Sequence, residues 1–303
     1  MNSTTDYLRQ TPLEELKCDK HTHHWEKVYF KNETQQASGA FKFRGNVNKL
    51  SAYTKGTKVV TASTGNHAKG LALAASLLDL KAIIFLPKLT PLKKLEGIQG
   101  NPHVEIIFVN GDYTLCEMEA KKYALKHNMI FIPSFDDKEI IEGHKTLCRE
   151  IDRSNIEFDT VYVPIGGGGL ISACLEHWKN DKNIIGVELD SAPAMKLSLE
   201  KGDRVCINEC SGFAEGLLVR EVGKIPFEIC KKYNPKIIMV NESAIKRAIK
   251  TLWKENRIKS EGAGAASFAA AMEDSEKRGK GCVCIISGGN INDDLFSTII
   301  KDY

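Results

Sequence analysis

Six short apolar runs constrain the fold of this chain more than any other feature. They are KVVTAS from Lys58, KAIIFLP from Lys81, VEIIFVN from Val104, TVYVPIG from Thr160, KIIMV from Lys236 and CVCIIS from Cys282. Each is about the length of a strand, and most lack the polar alternation of a sheet with one wet face, so they read as buried parallel strands. Helical patterns fall between them: HAKGLALAASLLDL, EMEAKKYALKH and ESAIKRAIKTLWKENRIK. Strand and helix alternating in this way predict an α/β fold with crossover connections. There is no repeat, low-complexity tract or long linker, so a second domain has to be an insertion. The pattern places it at 58–135, inside a larger unit made of 1–57 and 136–303.

The length of 303 residues suits one large or two ordinary domains, and 42% hydrophobic residues suffice for a core. Lys and Arg number 42 against 39 Asp and Glu, a net charge of +3, which gives no field to attract nucleic acid or a membrane surface. No apolar run reaches the roughly eighteen residues of a spanning helix. The N-terminus has neither a basic start nor an apolar core of a secretory signal. Nine cysteines, an odd number without a regular framework, fit free thiols in the cytoplasm. Cys18 with His21, His23 and His24, and the pair Cys206 and Cys210, match no closed zinc pattern and read as ordinary loop histidines and thiols.

Three glycine-bearing segments follow predicted strands, where ligands of open α/β sheets bind. They are Ser63-Thr64-Gly65-Asn66-His67, the run Gly166-Gly167-Gly168-Gly169-Leu170, and Ser287-Gly288-Gly289-Asn290. Four glycines before the helix-like LISACLEHW expose backbone N–H groups at a helix N-terminus, a site suited to a phosphate. A dinucleotide fingerprint would need glycine at Ile171, and no Gly-Lys-Ser/Thr follows, so the ligand is phosphorylated without being a dinucleotide. Lys42, beside Phe41 and after a Ser-Gly turn, is a candidate amine nucleophile if burial lowers its pKa. Taken alone, it reads instead as a solvated helix lysine.

The order of the motifs goes further. Ser38-Gly-Ala-Phe-Lys42-x-Arg-Gly, Ser63-Thr-Gly-Asn66-His, the four glycines, Glu261-Gly-Ala-Gly-Ala and Ser287-Gly-Gly-Asn together resemble the threonine/serine dehydratase and serine racemase group. That group belongs to the pyridoxal-phosphate enzymes of the tryptophan-synthase-β fold, fold type II. The resemblance runs from Thr11 to Asn290. It implies two open, twisted, mostly parallel sheets flanked by helices, with a small mobile lobe inserted in a large cofactor-binding one. It also implies a homodimer.

By the same resemblance, Lys42 would carry pyridoxal 5'-phosphate covalently, with Phe41 packed on its ring. Gly166, Gly167, Gly168, Gly169 and Leu170 would hold the phosphate, Asn66 the ring hydroxyl, and Ser287 the pyridine nitrogen. Ser63, Thr64, Gly65, Asn66 and His67 would grip the substrate carboxylate through backbone amides and hydroxyls. The freed Lys42 amine would be the general base at Cα. Ser287 is neutral and cannot force a proton onto the pyridine nitrogen, so a long-lived carbanion is disfavoured and expulsion of a β-hydroxyl is favoured over transamination. The expected activity is that of an ammonia-lyase converting L-threonine or L-serine to a 2-oxo acid and ammonia. Alternatives are serine racemase, with Thr64 as a second acid/base, a 3-hydroxyaspartate dehydratase, a β-replacement enzyme, or a silent relative that only binds ligand.

Three departures from the family pattern stand out. Thr64 occupies a position where racemases carry serine, and its methyl stiffens the hydroxyl. A divalent cation site could begin at Glu188 and use the Ala192 carbonyl. Ala194 stands where a carboxylate is expected and removes a hard-oxygen ligand that Asp190 could replace, so a cation is an alternative and not the favoured expectation. Glu142-Gly-His144-Lys145-Thr146 replaces the usual Gly-Gln-Gly-Thr and brings groups able to carry charge near the lobe junction. Large regulatory dehydratases extend through a C-terminal effector module, whereas this sequence stops about a dozen residues after Asn290, so feedback through such a module is not expected.

Overall fold

All six apolar runs form strands, because β-branched residues pack well on a pleated surface with both faces covered. The computed structural model describes residues 4–17, 25–275 and 279–301. Cys18, His21, His23 and His24 lie outside the described residues. Two short strands, β1 (Leu13–Glu15) and β2 (Val28–Asn32), precede α1 (Lys42–Leu50). Next come β3 (Lys58–Ala62), α2 (Asn66–Leu77), β4 (Lys81–Pro87), α3 (Leu92–Leu95), β5 (Val104–Val109), α4 (Tyr113–Lys126) and β6 (Ile130–Phe131). The chain continues through α5 (Lys138–Asp152), β7 (Thr160–Pro164), α6 (Gly169–Trp178), β8 (Asn183–Leu189) and α7 (Ala194–Lys201). It ends with α8 (Lys224–Tyr233), β9 (Lys236–Val240), α9 (Glu242–Asn256), α10 (Gly262–Glu273), β10 (Cys282–Ile286) and α11 (Asp293–Lys301).

The fold is α/β, with two sheets. One has the order β1-β2-β10-β7-β8-β9 and the other β5-β4-β3-β6. Every pairing is parallel except β1 with β2. The apolar-run reading omitted β1, β2, β6 and β8. In β2 the buried face includes Lys31 and Asn32, and Gly186 interrupts β8. These residues hide the pattern that marks the other strands. Three helices begin where an N-cap side chain satisfies a first-turn N–H group: Asp112 caps α4, Asp137 caps α5 and Asn241 caps α9.

Two packing arrangements position the ends of the strands. Helix α10 is built of Gly, Ala, Ser and Phe and is buried along most of its length, so it can lie directly on the six-stranded sheet. Helix α1 is pressed between α2 and α5. A Cβ at Gly70 would stand 2.7 Å from Asn46 Nδ2, and one at Gly143 would stand 2.7 Å from the Arg44 carbonyl. Beneath α1, Arg44 is completely buried in a charged cluster. Its guanidinium donates to Glu33 at 2.7 and 2.8 Å and to Glu150 at 2.6 and 2.9 Å, while Lys31 Nζ donates to Glu150 at 2.5 Å. Each buried charge has a partner, as low-dielectric surroundings require.

Candidate active site

Lys42 is the first residue of α1, which the preceding backbone fixes in place. Phe41 N–H donates to the Ser287 carbonyl at 3.0 Å, and Ala40 bridges to Gly288. The lysine is thereby tied to the loop that ends β10. Its Nζ donates to the Ser134 carbonyl at 2.7 Å and lies 5.1 Å from the Phe41 ring centre and 5.8 Å from that of Phe135. The side chain opens partly on the cleft, yet its amine lies deep among protein atoms. Desolvation lowers its pKa to about 8. About a tenth of the amine is therefore free base near pH 7, which corrects the solvated-lysine alternative.

The four glycines end β7 and begin α6. Gly168 has φ +92°, a conformation that L side chains rarely adopt. A Cβ would stand 2.3 Å from the Gly216 carbonyl at Gly166, 2.2 Å from the Phe135 ring at Gly167, 2.7 Å from Pro226 at Gly168 and 3.2 Å from Phe135 at Gly169. Backbone alone fits here, and the first-turn N–H groups of α6 have no acceptor within their own helix. Leu170 is buried behind them. Phe135, which sequence reasoning missed, joins this loop to the lysine. No motif marks it; only its place after Pro133-Ser134 brings it there.

Loop 63–67 ends β3 and starts α2. Ser63 is buried and its hydroxyl accepts from Gly65 N–H at 3.3 Å, while Thr64 is partly exposed and Gly65 open to solvent. His67 points inward. It is buried and held neutral, with its pKa lowered to about 3 by desolvation and then by Lys42. Only its backbone can serve a ligand in the cleft. Asn66 Nδ2 donates to Glu261 Oε1 at 2.6 Å, and Asn66 Oδ1 accepts from Asn290 Nδ2 at 2.7 Å. Ser287 is buried at the end of β10.

The departing segment, 142–146, does not bring the charge its residue types suggest. His144 is buried and kept neutral by desolvation and by neighbouring cationic groups, with its ring 4.7 Å from that of Phe41. Lys145 is paired with Glu142 and Glu176, each at 2.9 Å. At Glu188 both carboxylate oxygens accept backbone N–H groups, from Met195 at 2.7 Å and Lys196 at 2.9 Å. The carboxyl caps α7, and desolvation raises its pKa to about 7. Among the described residues no group of three His, Cys, Asp or Glu side chains is placed to hold a metal.

Residues 4–288 match the model of the pyridoxal-phosphate dependent enzyme family. The chain belongs to this family. Its residues fit the cofactor: a buried amine of lowered pKa stands beside two aromatic rings, near a glycine cradle that side chains would fill. This pyridoxal-phosphate enzyme is 38% identical over 273 residues to an L-threonine dehydratase of Halalkalibacterium halodurans, covering 87% of this chain and 66% of that protein. It is 33% identical to an L-threonine ammonia-lyase of Thermotoga maritima, covering 90% and 70%. The chain thus spans about two-thirds of the length of these curated relatives.

Among solved structures, it is similar to the processed form of threonine deaminase isoform 2 from Solanum lycopersicum. The TM-score is 0.91 at 31% identity, covering 98% of this chain and 84% of that one. A maize serine racemase gives a TM-score of 0.89 at 28% identity, covering 98% and 93%. No described helix is long and apolar enough to cross a membrane.

Proposed function

We propose that this chain is an ammonia-lyase that converts L-threonine, L-serine or both to a 2-oxo acid and ammonia by β-elimination. The observation that carries the proposal is the Lys42 amine, buried with a pKa of about 8 between the Phe41 and Phe135 rings. The names of the relatives above support the substrate class. When bound at Lys42, pyridoxal phosphate supplies the electron sink that makes the substrate Cα–H acidic. Lys42 Nζ, free while substrate occupies the site, takes the Cα proton, for which an amine of pKa near neutral is suited. The four glycines and Leu170 would hold the phosphate, and Ser287 would serve the pyridine nitrogen as a neutral partner. Ser63, Thr64, Gly65 and the backbone of Asn66 and His67 orient the substrate carboxylate. The Phe135 ring offers an apolar wall for the threonine methyl.

In this reading, residues 58–135 form a small lobe that closes on the large one (1–57 and 136–303) and excludes water. The four-stranded sheet, drawn wholly from within 58–135, supports that division. A homodimeric and cytoplasmic enzyme follows from the family likeness.

Serine racemase is the second reading, favoured by the similarity to the maize enzyme and by the Thr64 hydroxyl beside the site. One assay separates the two. Purified protein is loaded with pyridoxal phosphate and incubated with L-threonine and L-serine, and 2-oxo acid and D-serine are measured together. The proposal expects 2-oxo acid to dominate. D-serine in excess of 2-oxo acid would establish the racemase reading, and neither product would leave the proposal without support.

A further inference from the structure

The Asn66 amide is held by a chain of hydrogen bonds that the mechanism above does not use. Glu261 stands at the start of α10, where its backbone N–H donates to the Gly288 carbonyl at 3.1 Å. Its Oε1 accepts from Asn66 Nδ2 at 2.6 Å, and its carboxyl also accepts from the backbone N–H of Asn290. Asn290 Nδ2 donates both to Asn66 Oδ1 at 2.7 Å and to the Ser38 carbonyl at 3.0 Å. Both hydrogens of Asn290 Nδ2 are therefore committed, and so are one lone pair of the Asn66 oxygen and one of the two hydrogens on Asn66 Nδ2.

Two glycines make room for this chain. A Cβ at Gly288 would stand 2.8 Å from Glu261 Oε1 and 3.2 Å from Asn66 Nδ2, and a Cβ at Gly39 would stand 2.8 Å from Asn290 Oδ1. The segments joined are the start of α2, the start of α10, the loop after β10 and the turn before Lys42. The turn before Lys42 and the loop after β10 also meet directly, through Phe41 N–H to the Ser287 carbonyl and the bridge of Ala40 to Gly288.

We propose that Glu261 is a positioning residue that, with Asn290, fixes the Asn66 amide so that its remaining Nδ2–H is presented to the ring oxygen of pyridoxal phosphate. The inference rests on the cofactor reading of Lys42 and Asn66 above. An ionised carboxylate only accepts hydrogen bonds, so it holds the NH2 end of Asn66 toward itself; a protonated carboxyl can also donate and no longer enforces that orientation. Desolvation raises the Glu261 pKa to about 7, with Glu215 adding to the rise and Asn66, Lys69 and the Asn290 N–H opposing it. Glu215 is itself paired with Lys94 at 2.7 Å. The orientation of Asn66 therefore depends on pH near neutrality.

The test uses the holoenzyme and reads the visible absorption band of the bound cofactor from about pH 6 to 9, together with cofactor dissociation. Wild type is expected to show a spectral transition with a midpoint near 7, which Glu261→Gln abolishes. Both Glu261→Gln and Asn290→Ala are expected to weaken cofactor retention about tenfold, the size of one lost hydrogen bond to a charged group. Asn290→Ala carries the test if Glu261→Gln fails to fold. Variants that keep the wild-type band, pH profile and retention would overturn the inference. A lowered melting temperature with all three unchanged would also overturn it, by making the cluster structural only. A wild-type chain that takes up no cofactor would overturn the parent reading as well.

Discussion

Two loops of this molecule do the same topological job, each ending a strand and opening a helix, yet they are packed in opposite ways. At the first three of the four glycines an added Cβ would strike a neighbour, the Gly216 carbonyl, the Phe135 ring or Pro226, and at Gly169 it would crowd Phe135. At Gly65, in loop 63–67, an added Cβ would meet nothing within 4 Å. The first loop is clamped by the rest of the protein, and the second is backed by its neighbours on one side and faces solvent on the other. A ligand group that stays bound through every turnover, such as a phosphate, is served by the clamped loop. A substrate that must enter and leave is served by the open one.

Four experiments would break or sharpen that contrast. Beneath α1, which begins at Lys42, Arg44 is held by Glu33 and Glu150, so Arg44→Met should destabilise the chain by about 3–5 kcal/mol, because it leaves buried carboxylates without their partner. Chemical denaturation checks this, and a loss under about 1 kcal/mol would mean that water reaches the cluster. Within the cradle, Gly167→Ala should cost about 1–3 kcal/mol of cofactor binding through overpacking against Phe135, read as a roughly ten- to hundredfold rise in the dissociation constant. Gly65→Ala should change it by less than about 0.5 kcal/mol, the ordinary size of a substitution in open space. Equal effects at the two glycines would erase the distinction between the loops.

Substrate choice falls between these extremes. Phe135→Asn should lower kcat/KM for threonine relative to serine by about tenfold, since a methyl in an apolar pocket is worth ~1–3 kcal/mol. An unchanged ratio would remove Phe135 from the substrate wall.

The last experiment concerns Lys42. Only its unprotonated amine is nucleophilic, and burial has lowered its pKa to about 8. Cofactor uptake by the apo chain should therefore quicken as pH rises, with a midpoint near 8 and a plateau above about 9, the rate at about pH 7 lying roughly tenfold below that plateau. Stopped-flow absorbance reads this directly. A midpoint near the ordinary lysine value would place the amine in solvent.

Much of this arrangement is legible in the sequence, and what is hidden has a common cause. The glycines after β7 and β10, Lys42 and loop 63–67 are local patterns: each lies at a strand end and carries its chemistry within a few residues. Glu261 is visible as part of a motif, but its partner Asn66 is 195 residues away, and no local rule reports that contact. Phe135 reaches the cradle through tertiary packing. His144 and Lys145 look charged as residue types, while burial neutralises the first and Glu142 and Glu176 pair the second. The missed strand β2 shows the same limit, because the charge of Lys31 conceals a buried position that the Glu33 and Glu150 carboxylates and the Thr11 carbonyl make tenable.

The account turns on a covalent link between one nitrogen and one aldehyde. Reducing the cofactor-loaded chain with borohydride, digesting it and sequencing the peptides by mass spectrometry would locate that link. The account predicts a pyridoxyl mass on Lys42, with the label and all lyase turnover lost in Lys42→Ala while the fold is retained. A label on another lysine, or a Lys42→Ala variant that still forms 2-oxo acid at the wild-type rate, would contradict it.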